Sequence, residues 1–219
     1  MSSAETVTSI FDLDGVLTRE DTMASLVSSS LAACPGRLVA ASAPFLLAQA
    51  APPDGALRPA MNRAIVSLAL RGMTRRTYES LAVATGHAMA RRTTVVEQAV
   101  ARCRSAGLHG PTVVATASEE TLARAFLDGL GLRGIPLAAS RLDFTRRGPR
   151  LSAHNVGQAK VAAVRAMGFV PEQAVLYTDS ASDIPLARVA RRTVTVNAAR
   201  RSSSRLAAVA NEITHERWT

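Results

Sequence analysis

The sequence lacks the features of three classes of protein: those with a cysteine metal site, those with a membrane-spanning helix and those with a secretory signal. Its two cysteines, Cys34 and Cys103, lie far apart and form no metal-ligand pair. No apolar run reaches the roughly 18 residues that a membrane-spanning helix needs. The N-terminal residues also lack the basic and apolar stretches of a secretory signal. We therefore expect a protein without a transmembrane segment, in the reducing cytoplasm.

Aromatic residues and lysine are also scarce. Aromatic residues make up 4% of the chain, too few for the row of stacking surfaces that single-stranded nucleic acids require. The chain has 26 basic and 17 acidic residues, a net charge of +9, and every basic residue except Lys160 is an arginine. Because the arginines are scattered, often as pairs, we interpret them as a solvated surface and expect no nucleic-acid partner. Steep salt-dependent binding to DNA would contradict this expectation.

The 219 residues have the pattern of an α/β protein. Strands are predicted at residues 6–11, 112–115, 135–139, 174–178 and 193–197. From residue 95 onward these strands alternate with helices, which predicts a Rossmann-like, doubly wound parallel sheet with helices on both faces. Residues 20–94 have a helical pattern throughout. We therefore predict a discontinuous core of residues 1–19 and 95–219, with an α-helical cap inserted at 20–94.

Three local expectations concern segments beside the sheet. A hairpin or irregular excursion is predicted at residues 141–153. Ser118, followed by two glutamates, is predicted to be the N-cap of the helix after the second strand. The helix that begins at Val95 is predicted to end at Gly107.

Polar residues stand at the ends of the predicted strands. They are Asp12, Asp14, Thr116, Asp179 and Asp183. Four of the eight aspartates in the chain lie in just two of these turns, which randomly placed surface acids would not do. Because ligands bind beyond the carboxyl ends of the strands in open parallel sheets, these side chains are expected to converge.

In type and order, these residues resemble the four motifs of haloacid-dehalogenase-superfamily phosphatases. FDLDGVLT at 11–18 is similar to the first motif and VVATAS at 113–118 to the second. Lys160 is similar to the third and LYTDSASD at 176–183 to the fourth. The insertion at 20–94 resembles the helical cap of the phosphoserine-phosphatase-like subgroup. The resemblance covers essentially the whole chain.

The resemblance implies an Mg²⁺-dependent phosphatase that works through an aspartyl-phosphate. Asp12 would be the nucleophile and Asp14 the general acid and then the general base. Asp12, Asp179 and the backbone carbonyl of Asp14 would bind Mg²⁺. Thr116 and Lys160 would bind phosphoryl oxygens.

For Asp183 two roles remain open. The residue is expected to hold a metal-bound water or to orient Lys160. The alternative is that it caps the helix that begins near Ser182.

The resemblance implies a small phosphorylated metabolite or a lipid phosphate as substrate. Asp21 stands where phosphoserine phosphatases carry a glutamate that reads the substrate's amino group, and Arg63 is a candidate substrate-binding residue or part of a solvated helix face. HNVGQAK at 154–160 and YTDSASDIPL at 177–186 resemble the phosphatidylglycerophosphatase-C-like branch. A lipid phosphate would imply peripheral membrane contact. We expect a monomer or homodimer.

Four alternatives to a general phosphatase remain open. They are a phosphotransferase of the same fold, a phosphoserine phosphatase, a dehalogenase and a non-catalytic regulatory module. A halide leaves without protonation, so Asp14 argues for phosphate chemistry over dehalogenation. The presence of Lys160 and of both aspartate pairs argues against a module without catalysis.

Overall fold

A computed structural model describes residues 7–50 and 57–219 of the chain. Its strands are β1 Thr8–Phe11, β2 Thr112–Glu119, β3 Leu137–Thr145, β4 Gly148–Ala153, β5 Ala174–Thr178, β6 Arg192–Val196 and β7 Ile213–Glu216. They form one sheet in the order β4-β3-β2-β1-β5-β6-β7. All neighbouring strands are parallel except β3 and β4, which form an antiparallel hairpin.

Helices cover both faces of this sheet. They are α1 Thr22–Ala32, α2 Pro35–Ala50, α3 Leu57–Ala69, α4 Arg75–Met89, α5 Glu97–His109, α6 Glu120–Gly129, α7 Gln158–Ala166, α8 Ile184–Val189 and α9 Arg200–Ala207. None of the helices in the described residues is long and apolar enough to cross a membrane.

Successive residues of the central strand point to opposite faces of the sheet, as the two-residue period of a strand requires. Ile10 packs in a cluster with Val164 of α7 and Leu206 of α9, whereas Phe11 packs with Val100 of α5 and Phe126 of α6. All four residues of β1 are buried, as expected for a central strand of a parallel sheet with helices on both faces. The predicted doubly wound α/β fold is confirmed.

The helices between β1 and α5 form a third apolar cluster that also includes Leu122 of α6. Helix α4 lies directly against α6, because a Cβ atom at Gly86 would come within 2.8 Å of the Leu122 carbonyl oxygen. Tyr78 of α4 is fully buried and donates a 2.8 Å hydrogen bond to the buried carboxylate of Glu119. These contacts attach the inserted helices to the end of β2.

Two local expectations prove wrong. Strand β2 continues to Glu119, so Ser118 lies in the strand and the N-cap of α6 is Glu119, whose carboxylate accepts a hydrogen bond from Leu122 N. Helix α5 continues through Gly107 to His109, because one glycine costs a helix only about 1 kcal/mol. The hairpin expected at 141–153 is present as part of β3 and β4, and β7 was not predicted.

Candidate active site

The turn after β1 lies against the turn after β5. Asp12 N donates a 2.9 Å hydrogen bond to the carbonyl oxygen of Tyr177, which ties the two strand ends together. Gly15 has φ +80°, and a Cβ atom there would lie only 2.6 Å from Asp179 Oδ1. Glycine therefore serves two needs at this position, a left-handed backbone and the close approach of the Asp179 carboxylate.

Lys160 is buried between two carboxylates. Its Nζ lies 3.1 Å from Asp12 Oδ1 and 2.7 Å from Asp183 Oδ1, and only 2% of the residue is exposed. The second oxygen of Asp183 accepts a 2.8 Å hydrogen bond from the Thr178 hydroxyl. Asp183 occupies the N-cap position of α8, but its side chain makes no capping hydrogen bond there, and its carboxylate contacts Lys160 instead.

The Asp12 carboxylate is almost fully buried. Burial raises the pKa of Asp12 well above its ordinary value, while the charge on Lys160 opposes this rise. Neighbouring carboxylates reinforce the rise, those of Asp183, Asp14 and Asp179. The described hydrogen bonds to Asp12, from Leu13 N at 2.9 Å and from Lys160, both end on Oδ1.

Asp14 is held by two elements that follow it in the chain. Its Oδ1 accepts a 2.9 Å hydrogen bond from Thr22 N at the start of α1, and its Oδ2 accepts a 2.8 Å hydrogen bond from the Ser118 hydroxyl of β2. The two hydroxyls of Thr22 and Ser118 also contact each other. Burial, aided by the charge on Asp21, raises the pKa of Asp14 to about 6 against the opposing effect of these hydrogen bonds.

Asp179 carries an uncompensated charge of its own. Burial and the charges on Asp183 and Asp14 raise its pKa to about 6, and Lys160 opposes them only weakly. Four carboxylates therefore face a single ammonium group at the ends of β1 and β5. This excess of oxygen donors and negative charge fits a divalent cation that prefers oxygen ligands.

In the described residues no three His, Cys, Asp or Glu side chains converge as a metal centre built from side chains alone. The expected Mg²⁺ site does not need three such side chains. It would use two, those of Asp12 and Asp179, together with the backbone carbonyl of Asp14. Mg²⁺ usually keeps several waters and takes one or two carboxylates from the protein. The residues present therefore fit the ion.

The remaining predicted residues lie at the edges of this arrangement. Thr116 is fully buried, and its hydroxyl oxygen accepts a 3.0 Å hydrogen bond from Ser118 N, so Ala117 lines the cavity in its place. Asp21 lines the cavity and also caps α1 by accepting a 2.8 Å hydrogen bond from Ala24 N. Arg63 belongs to α3, but its side chain is outside the described part of the structure.

A cavity of about 340 Å³ opens above the paired turns. Its wall is formed by Asp12, Asp14, Gly15, Arg19, Glu20, Asp21, Ala117, Val156, Lys160, Asp179, Ser180 and Ser182. Arg19 and Ser118 are two contributions to this region that the sequence did not indicate. The sequence pattern assigns Ser118 to a helix N-cap, and no local pattern distinguishes Arg19 from the other 24 arginines in the chain.

Comparisons with known proteins agree with this architecture. Residues 10–188 match the family model described as haloacid dehalogenase-like hydrolase. No curated protein matches the chain. A phosphoserine phosphohydrolase-like protein from Francisella tularensis subsp. tularensis SCHU S4 is similar in structure at 12% identity, with a TM-score of 0.61 over 95% of this chain and 94% of that one.

Two further solved structures resemble the chain. One is a phospho-aspartyl intermediate analogue of phosphoserine phosphatase, with 16% identity and a TM-score of 0.59 over 96% of this chain and 94% of that one. The other is a protein of unknown function from Bordetella pertussis Tohama I, with 17% identity and a TM-score of 0.57 over 95% and 97% of the two chains. At these identities the likeness concerns the fold.

Proposed function

We propose that this chain, which belongs to the haloacid dehalogenase-like hydrolase family, is an Mg²⁺-dependent phosphatase that hydrolyses a phosphomonoester through an aspartyl-phosphate. One observation carries the proposal: Asp12, paired with a buried lysine, and Asp14, held by two hydrogen-bond donors, line one cavity. A structure of similar fold, a phosphoserine phosphatase, contains an analogue of the same type of intermediate.

Asp12 would attack phosphorus with Oδ2. Its Oδ1 already accepts hydrogen bonds from Lys160 and Leu13, which fixes the orientation of the carboxylate and leaves the other oxygen for the attack. The attack forms an acyl-phosphate and releases the alcohol, so that one difficult hydrolysis becomes two easier steps. Lys160 would contribute a fixed positive charge beside the phosphoryl oxygens as charge builds up in the transition state.

Asp14 would move the protons in both steps. As an acid it protonates the departing alkoxide, and as a base it then accepts a proton from the water that attacks the acyl-phosphate. A pKa raised to about 6 suits a group that must hold a proton in one step and release it in the next. A dehalogenase has no need of such a group, because halide leaves as an anion.

Asp12, Asp179 and the Asp14 carbonyl would hold the Mg²⁺. When bound, the ion would offset the electrostatic repulsion between an anionic phosphate and the two carboxylates. Asp183 would act on Lys160, which it holds at 2.7 Å, rather than on substrate. Contact between the Thr116 hydroxyl and the phosphoryl group stays a proposal that rests on the resemblance, because Thr116 is fully buried and Ala117 lines the cavity wall there.

We also propose that residues 20–94 act as the cap that selects the substrate, a small phosphorylated metabolite or a lipid phosphate. Asp21 supports this role, because it starts α1 and lines the catalytic cavity at the same time. Arg63 in α3 stays a candidate for contact with the substrate.

The test is hydrolysis of 4-nitrophenyl phosphate with Mg²⁺ and with EDTA, followed by a screen of phosphorylated metabolites and lipid phosphates. We expect Mg²⁺-dependent phosphate release, and binding of beryllofluoride to the free Asp12 carboxylate as an analogue of the acyl-phosphate. Asp12→Asn should abolish turnover with an unchanged circular dichroism spectrum, whereas Asp143→Asn, at an exposed aspartate of β3, should keep it. Full activity of Asp12→Asn would contradict the mechanism.

Two product measurements separate the alternatives. Release of chloride from a haloacid without phosphatase activity would show a dehalogenase. Transfer of the phosphoryl group to an added alcohol in preference to water would show a phosphotransferase.

A further inference from the structure

Arg19 is the cation on the cavity wall that is left without an anionic partner. Charged side chains line the cavity at Asp12, Asp14, Arg19, Glu20, Asp21, Lys160 and Asp179. Lys160 is engaged by two carboxylates, and Glu20 pairs with Arg92. Arg19 has no carboxylate within ion-pair distance in the described residues, although five acidic side chains share its cavity.

The guanidinium group of Arg19 is nevertheless held in place. Its Nη2 donates a 3.3 Å hydrogen bond to the backbone carbonyl of Trp218. That carbonyl is itself fixed, because Asn197 Nδ2 donates to it at 3.0 Å and Asn197 Oδ1 accepts from Trp218 N at 2.9 Å. The Trp218 ring is buried and donates a 2.7 Å hydrogen bond to Glu216. The C-terminal segment therefore supports an arginine whose other donors remain available.

Arg19 belongs to the solvent side of the cavity. Asp12 and Lys160, where the phosphoryl group would react, are 7% and 2% exposed, whereas Arg19 is exposed. A phosphomonoester held at Asp12 would extend its leaving group outward, toward the part of the wall that Arg19 occupies. A planar guanidinium with free donors suits a carboxylate or phosphate group there.

We propose that Arg19 binds a second anionic group, carried by the leaving group, so that the substrates are phosphomonoesters of alcohols that bear a carboxylate or phosphate group. This inference rests on the proposed phosphatase function. Asp21 lies on the same wall and would repel such an anion, so Arg19 is the residue that determines its position.

The test compares two aryl phosphates that differ by one charge. In 3-carboxyphenyl phosphate the leaving group carries a carboxylate, and in 3-carbamoylphenyl phosphate it carries a neutral amide of the same size. The variant is Arg19→Gln. Its matched control is Arg104→Gln, at an exposed arginine that also donates to a backbone carbonyl, that of Leu130 at 2.8 Å, but lies away from the cavity.

We expect the wild type to have a higher kcat/KM for the carboxylate substrate. Arg19→Gln should lower that kcat/KM about tenfold, the factor expected for one hydrogen bond between charged groups. It should change the amide value less than about twofold, which is the scatter of surface substitutions. Arg104→Gln should leave the ratio of the two values unchanged.

Three results would contradict the inference, and each has a different meaning. An equal loss with both substrates would show that Arg19 acts on the reacting phosphoryl group or on the fold, and would overturn the inference. An unchanged ratio would overturn it as well. If the folded wild type hydrolyses neither substrate with Mg²⁺, the proposed phosphatase function itself fails, and the inference fails with it.

Discussion

Ser118→Ala should damage the reaction in proportion to how much the leaving group needs a proton. The Ser118 hydroxyl is 2% exposed and donates a 2.8 Å hydrogen bond to Asp14 Oδ2, while Thr22 N holds Oδ1 from the other side. Without the Ser118 hydroxyl, Asp14 Oδ2 keeps only a long 3.4 Å hydrogen bond from the Thr22 hydroxyl, so the carboxyl is held less firmly. When the general acid is misplaced in this way, the rate falls most for substrates whose leaving groups cannot depart as anions.

The expected loss of kcat/KM follows from the strength of the hydrogen bond that the substitution removes. A hydrogen bond to a charged group contributes about 1.5–3 kcal/mol, and each 1.4 kcal/mol is about a factor of ten in rate. We therefore expect kcat/KM for an alkyl phosphate to fall between about tenfold and a hundredfold. For 4-nitrophenyl phosphate, whose leaving group departs as an anion, kcat/KM should change by less than about threefold.

The assay must separate the two steps of the reaction. In the proposed mechanism, the ratio kcat/KM reports the steps up to departure of the alcohol, whereas kcat includes hydrolysis of the acyl-phosphate, in which Asp14 would act as a base. For this reason kcat should fall with both substrates when that hydrolysis limits the rate. Ser30→Ala is a matched control, because this 3% exposed serine also loses one buried hydrogen bond, but to the Ala69 carbonyl, and neither residue lines the cavity.

Equal losses of kcat/KM for the alkyl and nitrophenyl substrates in Ser118→Ala would refute the reasoning. They would mean that the serine supports the fold or the phosphoryl site rather than the acid. Unchanged kinetics with both substrates would refute it too, because Asp14 would then need only the donors of Thr22.

Three further substitutions probe separate contacts. Lys160→Arg should lower kcat at least about a hundredfold, since a forked guanidinium does not fit the buried point-charge site; near-normal kinetics would contradict this. Gly15→Ala should raise the Mg²⁺ concentration needed for half-maximal activity, because its Cβ atom would displace the Asp179 carboxylate; an unchanged Mg²⁺ titration would count against that carboxylate as a ligand. Tyr78→Phe should lower the free energy of unfolding in urea by about 1–3 kcal/mol, because the buried Glu119 carboxylate loses its hydroxyl donor; an unchanged midpoint would show that the contact is not stabilising.

The sequence predicted the sheet and its acidic edge because both depend on local patterns. Buried parallel strands are apolar runs followed by polar turns. Parallel strands bring those turns to one edge of the sheet, so the sequence predicts that Asp12 and Asp179 lie together. Strand β7 was not predicted because its sequence, ITHE, is only partly buried and has three polar residues among four.

The long-range hydrogen bonds that hold the side chains of the site could not be predicted from local patterns. Ser118 bonds a residue 104 positions away, and Arg19 depends on a carbonyl 199 positions away. No local pattern distinguishes a serine that caps the next helix from one that continues a strand by three residues. The outcome depends on whether β3 is available to pair with the end of β2, and in the structure Glu119 pairs with Ser140 of β3.

The surroundings of Lys160 and Asp14 determine which of them can move a proton. Burial lowers the pKa of Lys160, but the charges on Asp12 and Asp183 outweigh it and hold the pKa above its ordinary value. The ammonium group therefore stays charged at neutral pH, and it is not suited to serve as the acid or base of the reaction. Asp14, with its pKa raised to about 6, can take either state near neutral pH. In the proposed mechanism, the single lysine thus supplies a positive charge, and proton transfer is left to Asp14.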